Sequence, residues 1–328
     1  MLSDVLTVPN HDGSDRRDGE GFFGPPPPSE IGELLSASTD KTPRLRSRRF
    51  AQRAVLFFML ASLFGVLGFL AGGAIGAALE WRCGVPDKVR RVIQATLIVT
   101  ALGIVALEIW TKEVCTYVGS DGISRTIRIW HGLIVQTLRY SDVAWLRTSQ
   151  TRLTMLGAPG HTTSFDFTWS DGMGKHRFRI SGSYGGDTLF GNEAPAEPVW
   201  NPIHFAFAAE RVWTKIKLAR AKAALVEHGA CEFPTCPGEA IVVKHDAIVI
   251  HRAGATTEIP MRQIKEVAVL DGLLEIESVS AKRGFVKDDG VFKRDICWIA
   301  NFQVLYQMLA LSMHQSSTRP PVELDRRD

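Results

Sequence analysis

The sequence lacks the short motifs by which many enzymes can be recognised. It contains no G-x-x-x-x-G-K phosphate loop, no G-x-G-x-x-G between a strand and a helix, and no G-x-S-x-G nucleophile turn. His161, His176 and His204 fall in unrelated predicted elements, so they do not suggest a general base. The sequence therefore predicts no catalytic residue, no cofactor and a protein that is not an enzyme.

An excess of one charge sign is also absent. The 38 Lys and Arg residues nearly balance the 35 Asp and Glu residues, and a net charge of +3 argues against a dedicated nucleic-acid binder. The cysteines are odd in number and scattered, which favours a reducing compartment over a disulfide framework. They are Cys83, Cys115, Cys231, Cys236 and Cys297. The Cys231-x-x-x-x-Cys236 spacing is loose for zinc, and its prolines indicate a linker, so we predict no metal site.

The sequence does contain two long apolar runs. Residues 54–79 carry no charge over 26 residues and reach about 39 Å as a helix, whereas a bilayer core is about 30 Å thick. Residues 92–110 form a second run of about 28 Å. The pattern predicts a two-helix transmembrane hairpin over residues 54–110.

The charges around these runs suggest an orientation. Six cations precede the first run: Lys41, Arg44, Arg46, Arg48, Arg49 and Arg53. By the positive-inside rule they place the N-terminus in the cytoplasm, and two crossings return the chain there. We therefore expect a multi-pass protein of the bacterial inner membrane, with both termini cytoplasmic and the lipid bilayer as a partner.

Small residues recur on the first run. Gly68, Gly72 and Gly76 are spaced four residues apart, which lets a neighbouring helix backbone approach closely. The partner helix is either the second run of the hairpin or the same face of a second copy, which would make a homodimer.

The ends of the chain have a polar composition. Residues 1–53 carry few large apolar groups and include a four-proline run at 25–28, so we predict a disordered cytoplasmic tail. A docking site for a proline-binding module is the alternative for that run. Residues 316–328 are predicted to be a second disordered tail.

After residue 111 the sequence alternates in short runs. Strands are predicted at 114–118, 123–130, 133–140, 143–152, 164–169 and 175–181, joined by tight turns and therefore antiparallel. A long helix follows, with Asn201 as N-cap and Pro202 at its first position. Its apolar positions are Phe205, Ala209, Val212, Ile216 and Ala219. The helix either covers a sheet or lies with its basic face on anionic lipid.

The same order of elements is predicted twice. Asp246-Ala247-Ile248 corresponds to Asp121-Gly122-Ile123, and residues 259–267 correspond to 138–146. Asn301 precedes a terminal helix as Asn201 does. The pattern indicates an internal duplication.

These residues resemble the pleckstrin-homology-like (PH-like) domains of bacterial membrane proteins, an uncharacterised family. The resemblance lies in the Asp121-Gly122-Ile123 strand opening, the Leu138-Arg139-Tyr140-Ser141-Asp142-Val143 step and the terminal helix. The second half carries Ile259-Pro260-x-x-x-Ile264-x-x-Val267 and Asp271-Gly272-x-Leu274-x-Ile276. The family implies a bent antiparallel sheet closed by a helix, and no established activity.

The expected fold class is thus an α+β membrane protein, a two-helix transmembrane hairpin followed by two tandem PH-like domains. The expected domains are 1–53, 54–110, 111–230, 238–315 and 316–328. The expected function is a non-catalytic, membrane-tethered interaction or scaffolding module with an unknown protein partner. The alternatives are a lipid-headgroup sensor and an accessory subunit of a membrane enzyme or transporter. Candidate lipid-facing residues are Lys282, Arg283, Lys287, Lys293 and Arg294.

Overall fold

The computed structural model describes most of the globular part of the chain. The described residues are 7–16, 21–40, 112–129, 131–154, 161–189, 196–252, 254–270, 272–282 and 289–318, with Val5, Ala95, Thr96 and Gly103. They form 14 strands and two α-helices, and every strand pair is antiparallel.

The predicted transmembrane architecture is corrected. Across the described residues, no helix combines the length and apolar character needed to cross a bilayer. This finding contradicts the predicted fold class with its two-helix hairpin, and with it the multi-pass location in the inner membrane. Residues 54–79 and 92–110, including Gly68, Gly72 and Gly76, lie outside the described residues except for Ala95, Thr96 and Gly103.

The two described α-helices show why neither meets that requirement. The longer one, α1 (Pro202–His228), carries a series of charged residues, among them Arg211, Lys215 and Lys217. The other, α2 (Phe302–Thr318), has only 17 residues. Both pack against sheets, and α2 continues to Thr318, so residues 316–318 correct the predicted disorder of the C-terminal tail.

The first unit consists of a four-stranded sheet, a three-stranded sheet and α1. The first sheet has the order β1-β2-β3-β4, and the second the order β5-β6-β7. The strands are β1 (Leu34–Thr39), β2 (Glu113–Gly119), β3 (Gly122–Ile129), β4 (Gly132–Arg139), β5 (Trp145–Thr154), β6 (His161–Ser170) and β7 (His176–Gly185). Asn201 caps α1 as predicted, since its side chain accepts a hydrogen bond from the Ile203 N–H at 3.1 Å.

The second unit repeats this plan. Its four-stranded sheet has the order β11-β10-β9-β8 and its three-stranded sheet the order β12-β13-β14, followed by α2. The strands are β8 (Ala230–Pro234), β9 (Ala240–Lys244), β10 (Ala247–Arg252), β11 (Ala255–Pro260), β12 (Ile264–Leu270), β13 (Leu273–Lys282) and β14 (Asp289–Asp295).

The two units correspond residue by residue where the chain passes between sheets. Tyr140 and Met261 each begin a short 3-10 helix and are buried. The Tyr140 N–H donates to the Asp121 carbonyl at 2.8 Å, and the Met261 N–H donates to the Asp246 carbonyl at 2.7 Å. This shared bond aligns Asp121 with Asp246 and Tyr140 with Met261. The sequence offset between Asp121 and Asp246 also holds for the residues along β3 and β10.

The N-terminal segment is part of the first unit. Strand β1 pairs with β2, and Val5, Phe23 and Ile31 pack with Ala37 and Tyr117 in a small core on the outer face of the sheet. The predicted disorder of residues 1–53 is therefore wrong for the described residues up to Asp40. The physical reason is that β2 offers a strand edge and an apolar outer face, which the tail covers although its own composition is polar.

Helix α1 contributes to the cores of both units. Ile203, Phe205 and Trp213 in its N-terminal half lie in the core of the first unit. Ala221 lies in the core of the second unit, and Leu225 packs against it. Of the apolar positions predicted from sequence, Ala219 is exposed, because the buried face rotates toward the second unit after Ile216.

Candidate functional site

A polar cleft lies inside the first unit, between its four-stranded sheet and the start of α1. Its volume is about 310 Å³. Ser38, Thr116 and Arg125 line it from three neighbouring strands, and Ile180 and Phe205 line it from β7 and α1. We call the side formed by Ser38, Thr116 and Arg125 the polar wall and the side formed by Ile180 and Phe205 the apolar wall. Val114 and Ile127 also line the cleft from the sheet, and Ser181 and Asn201 add polar groups on the opposite side.

The polar wall is a single cross-strand row of the sheet. Ser38 is paired with Thr116, and Thr116 with Arg125. Because side chains at directly paired positions share one face of a sheet, all three point to the inside of the unit. Arg125 is in turn paired with Gln136 of β4. The Arg125 Nε and Nη2 groups donate to the Gln136 Oε1 at 3.1 and 2.6 Å.

The second unit has an apolar row at the same place. Phe233 is paired with Ile241, and Ile241 with Ile250. All three are buried in the core of that unit. The two copies of one fold thus differ at three equivalent inward positions, and the cleft occupies the space that apolar side chains fill in the second copy.

His11 closes one side of the cleft. Its Nδ1 lies 2.8 Å from the Ser36 hydroxyl and its Nε2 lies 2.9 Å from the Thr116 hydroxyl. The ring also stacks on Phe205, with 5.2 Å between centroids. Burial, together with the charge of Arg16, lowers the pKa of His11 to about 3, so the ring is neutral at pH 7.

Three charged residues line the cleft, Arg125, Lys112 and Asp40, and Arg125 lies in the middle of the polar wall. Its guanidinium lies 5.3 Å from the centre of the Phe178 ring, and burial lowers its pKa without neutralising it. No ion pair among the described residues includes Arg125. A half-buried cation whose hydrogen-bond acceptor is a neutral amide is an available partner for an anion.

A second groove separates α1 from α2. Its volume is about 550 Å³, and Glu210, Thr214, Phe302 and Tyr306 line it. Glu210 is only 7% exposed, and burial raises its pKa to about 8. The side chain therefore holds a proton at neutral pH.

The residues predicted to face lipid are only partly described. Lys293 forms an ion pair with Glu275 at 3.3 Å, and Arg294 forms one with Glu239. The Lys282 side chain, Arg283 and Lys287 lie outside the described residues. The two described cations are therefore neutralised by glutamates within the second unit.

The cysteines and histidines form no metal centre in the described chain, where no group of three or more His, Cys, Asp or Glu residues could hold an ion. Cys231 lies in β8, and Cys115 is buried in the small core beneath the N-terminal segment. Both are free thiols, as are Cys236 and Cys297.

The sequence did not predict the cleft. Ser38 and His11 fall in the tail for which the composition predicts disorder, and Arg125 is not among the candidate residues that the sequence indicates. The repeat contained the missing signal, because aligning Asp121 with Asp246 places Thr116 opposite Ile241 and Arg125 opposite Ile250.

No protein-family model matches the chain, and no curated protein matches it.

Proposed function

We propose that this protein is a non-catalytic interaction module made of two units of the PH-like type, and that β4 binds an extended segment of a partner protein. The assignment to the PH-like type is supported by the order of elements, four strands, three strands and a helix, in both units. The binding function rests on one observation, the exposed apolar edge of β4.

Strand β4 is the last strand of its sheet. Within the part of the chain that the structure describes, it pairs with β3 and with no other strand. Leu133, Ile134 and Val135 are consecutive on it and are 46%, 43% and 43% exposed. An edge of this kind offers backbone hydrogen bonds and apolar contacts together, which is what an added strand uses.

The second unit shows how the same edge looks when it is protected. The residues of β11 aligned with Ile134 and Val135 are Ala255 and Thr256. Two residues further along, Glu258 forms an ion pair with Lys244 at 3.2 Å. Small, polar and charged residues discourage strand addition, so the apolar edge of β4 is a specific feature of the first unit.

The occupant that fits this edge is an extended peptide with alternating apolar side chains. Leu133 and Val135 project from one face of the sheet and Ile134 from the other, so an added strand would contact both faces. Affinity would come from main-chain hydrogen bonds and selectivity from the apolar positions.

A matched pair of substitutions tests this function. Val135→Glu places a charge on the β4 edge, and Thr256→Glu places the same charge at the equivalent position of β11. Partners captured by the full chain are identified by mass spectrometry, and hydrogen exchange locates the contact. We expect Val135→Glu to abolish capture and Thr256→Glu to retain it, with the partner slowing exchange at Gly132–Arg139.

Equal capture by both variants, or slowed exchange elsewhere, would contradict the proposal. Sedimentation of the purified protein distinguishes a second copy as the occupant. In that case the unsubstituted chain would be a dimer and Val135→Glu a monomer.

A further inference from the structure

We propose that the polar cleft of the first unit binds a small organic anion, an acidic group carried on a short apolar body. This site is separate from the β4 edge, and the inference does not depend on the proposed partner binding.

The second unit supplies the internal reference. At three aligned inward positions it has Phe233, Ile241 and Ile250, which fill its core. The first unit has Ser38, Thr116 and Arg125 there and leaves a cleft of about 310 Å³. Large-to-small changes and a half-buried charge both destabilise a core, so their combination at one place indicates a binding function.

Two cations, Arg125 and Lys112, line the cleft against one carboxylate, Asp40, and this balance favours an anionic ligand. Arg125 projects from the middle of the polar wall, and its hydrogen bonds go to the neutral Gln136 side chain. A carboxylate or phosphate in the cleft would give the guanidinium a charged acceptor, which is a stronger interaction than the amide provides. The Ser38 hydroxyl on the same wall donates to the Val199 carbonyl at 3.5 Å, a long bond that it would exchange for one to the ligand.

The opposite wall specifies the rest of the ligand. Ile180 and Phe205 face the cleft from β7 and α1. Their apolar surface suits a short aliphatic or aromatic group, and a volume of about 310 Å³ is at the small end of ligand pockets. A large or highly charged ligand would not match these walls.

The N-terminal segment completes the site. His11 bonds to the hydroxyls of Ser36 and Thr116 and stacks on Phe205, so it joins the polar wall to the apolar wall. The ring remains neutral and adds no further cation. Attraction of an anion therefore depends on Arg125 and Lys112, against the one carboxylate of Asp40.

Titration of the full chain with simple probes tests the proposal. The probes are hexanoate and phenyl phosphate as anions, and hexan-1-ol as a neutral molecule of similar size. We expect both anions, or the one whose acidic group fits, to raise the midpoint of thermal unfolding, and hexan-1-ol to leave it unchanged.

Two variants copy the second unit. Arg125→Ile removes the charge, and we expect it to weaken binding of the anion by about tenfold or more. Ser38→Phe fills the cleft with the residue that occupies the equivalent place in the second unit, and we expect it to abolish binding. Arg262→Gln, which changes an exposed arginine of the second unit, is the matched control and should bind as the unsubstituted chain does.

The proposal is overturned if neither anion shifts the midpoint, or if hexan-1-ol shifts it as much as hexanoate. It is also overturned if Arg125→Ile binds the anions as tightly as Arg262→Gln. Should Arg125→Ile fail to fold, Ser38→Phe is the deciding variant. Undiminished anion binding by Ser38→Phe would show that the anions do not bind in the cleft.

Discussion

Among the acidic side chains that the structure describes, Glu210 is the one whose pKa is raised by burial to near neutral pH. It lies in α1 beside the groove that α2 borders, and burial raises its pKa from 4.5 to about 8. Between these two pH values the folded protein keeps a proton that the unfolded chain has lost. The free energy of unfolding therefore receives its full contribution from Glu210 below pH 4.5 and loses it as the pH rises toward 8.

The substitution Glu210→Gln tests this pH dependence. Glutamine keeps the shape of the protonated acid but cannot ionise, so the variant should become more stable than the unsubstituted protein as the pH rises. The difference should grow by up to about 1.4 kcal/mol per pH unit between roughly pH 5 and 8. Urea unfolding at pH 5, 6.5 and 8 measures it.

Comparing Glu210→Gln with the unsubstituted protein cancels the opposite pH dependence of stability that His11 contributes to both. The pKa of that ring is lowered, so its contribution is lost as the pH falls through 6.5 toward 3 in both proteins alike. Glu227→Gln, at an exposed position of α1, is the control for the loss of one carboxyl group from the same helix. If the free energy of unfolding changes with pH in the same way for Glu210→Gln and the unsubstituted chain, the raised pKa of Glu210 is refuted.

The two helix-initiating asparagines show what residue type alone predicts. Asn201 precedes proline and caps its helix, as its sequence context indicates. Asn301 has the same context of a following apolar helix, but its φ is +55° and its side chain bonds to the first unit. A contact between units that are far apart in sequence cannot be inferred from the local pattern.

At the scale of elements, β1 and β2 are neighbours in the sheet although 71 residues, 41–111, separate Asp40 from Lys112. The Asp40 N–H donates to the Val114 carbonyl at 3.0 Å, and the Val114 N–H donates to the Asp40 carboxylate at 2.7 Å. The chain therefore leaves the sheet and returns to it at one place.

Excision of this long connection should preserve the first unit. Replacing residues 41–111 by Asn-Gly leaves a four-residue loop with Lys112 and Glu113, a common hairpin length. Loop closure then costs about 2–3 kcal/mol less than for 71 residues, so stability should not fall. Circular dichroism and an NMR contact between Ala37 and Tyr117, which are paired, measure the outcome.

The control for the excised chain is Ala37→Lys, which places a charge in the small core on the outer face of the sheet. That variant should lose the contact between β1 and β2. Loss of the same contact in the excised chain without the substitution would show that the connection itself holds β1 in place.

Local signals predicted the strands of the first unit after residue 111 and both α-helices, because alternation, tight turns and capping residues are encoded within a few positions. They missed β8, because Cys231-x-x-x-x-Cys236 and its prolines indicated a linker. The same signals failed for β1. Its residues, Leu-Leu-Ser-Ala-Ser-Thr, are too polar to indicate a strand, and it is stabilised by pairing with distant β2. The transmembrane hairpin was predicted from the lengths of two apolar runs. Those lengths carry no information about which strands pair on either side of the runs.

At the scale of the whole molecule, α1 and Asn301 join the two units. The Asn301 Oδ1 accepts from the Leu146 N–H and from the Trp213 Nε1–H, both at 2.9 Å, and its Nδ2 donates to the Ala144 carbonyl at 3.3 Å. Since α1 also lies in both cores, we expect the units to unfold in one cooperative transition.

The substitution Asn301→Ala tests this coupling. It removes three side-chain hydrogen bonds and leaves the Leu146 and Trp213 donors without their acceptor, at a backbone conformation that alanine disfavours. We expect a loss of about 2–4 kcal/mol in the free energy of unfolding, with the transition broadened or split. Urea unfolding followed by tryptophan fluorescence and by circular dichroism measures both effects.

Asn301→Gly removes the same hydrogen bonds as Asn301→Ala but accepts the positive φ, so the difference between the two variants measures the backbone part of the loss. A loss below about 0.5 kcal/mol for Asn301→Ala, the usual range for surface changes, would show that the contact does not couple the units.

The adjacency of Asp40 and Lys112 also determines how the first unit would respond to mechanical load. Tension applied through residues 41–111 would act on two neighbouring strands at the same end, so β1 would peel from β2 one residue pair after another instead of resisting as a whole. The pair Thr39 and Cys115 would part before Leu34 and Gly119. Ser38 comes next in that sequence, so even slight peeling would disturb the polar wall of the cleft before the rest of the sheet is affected.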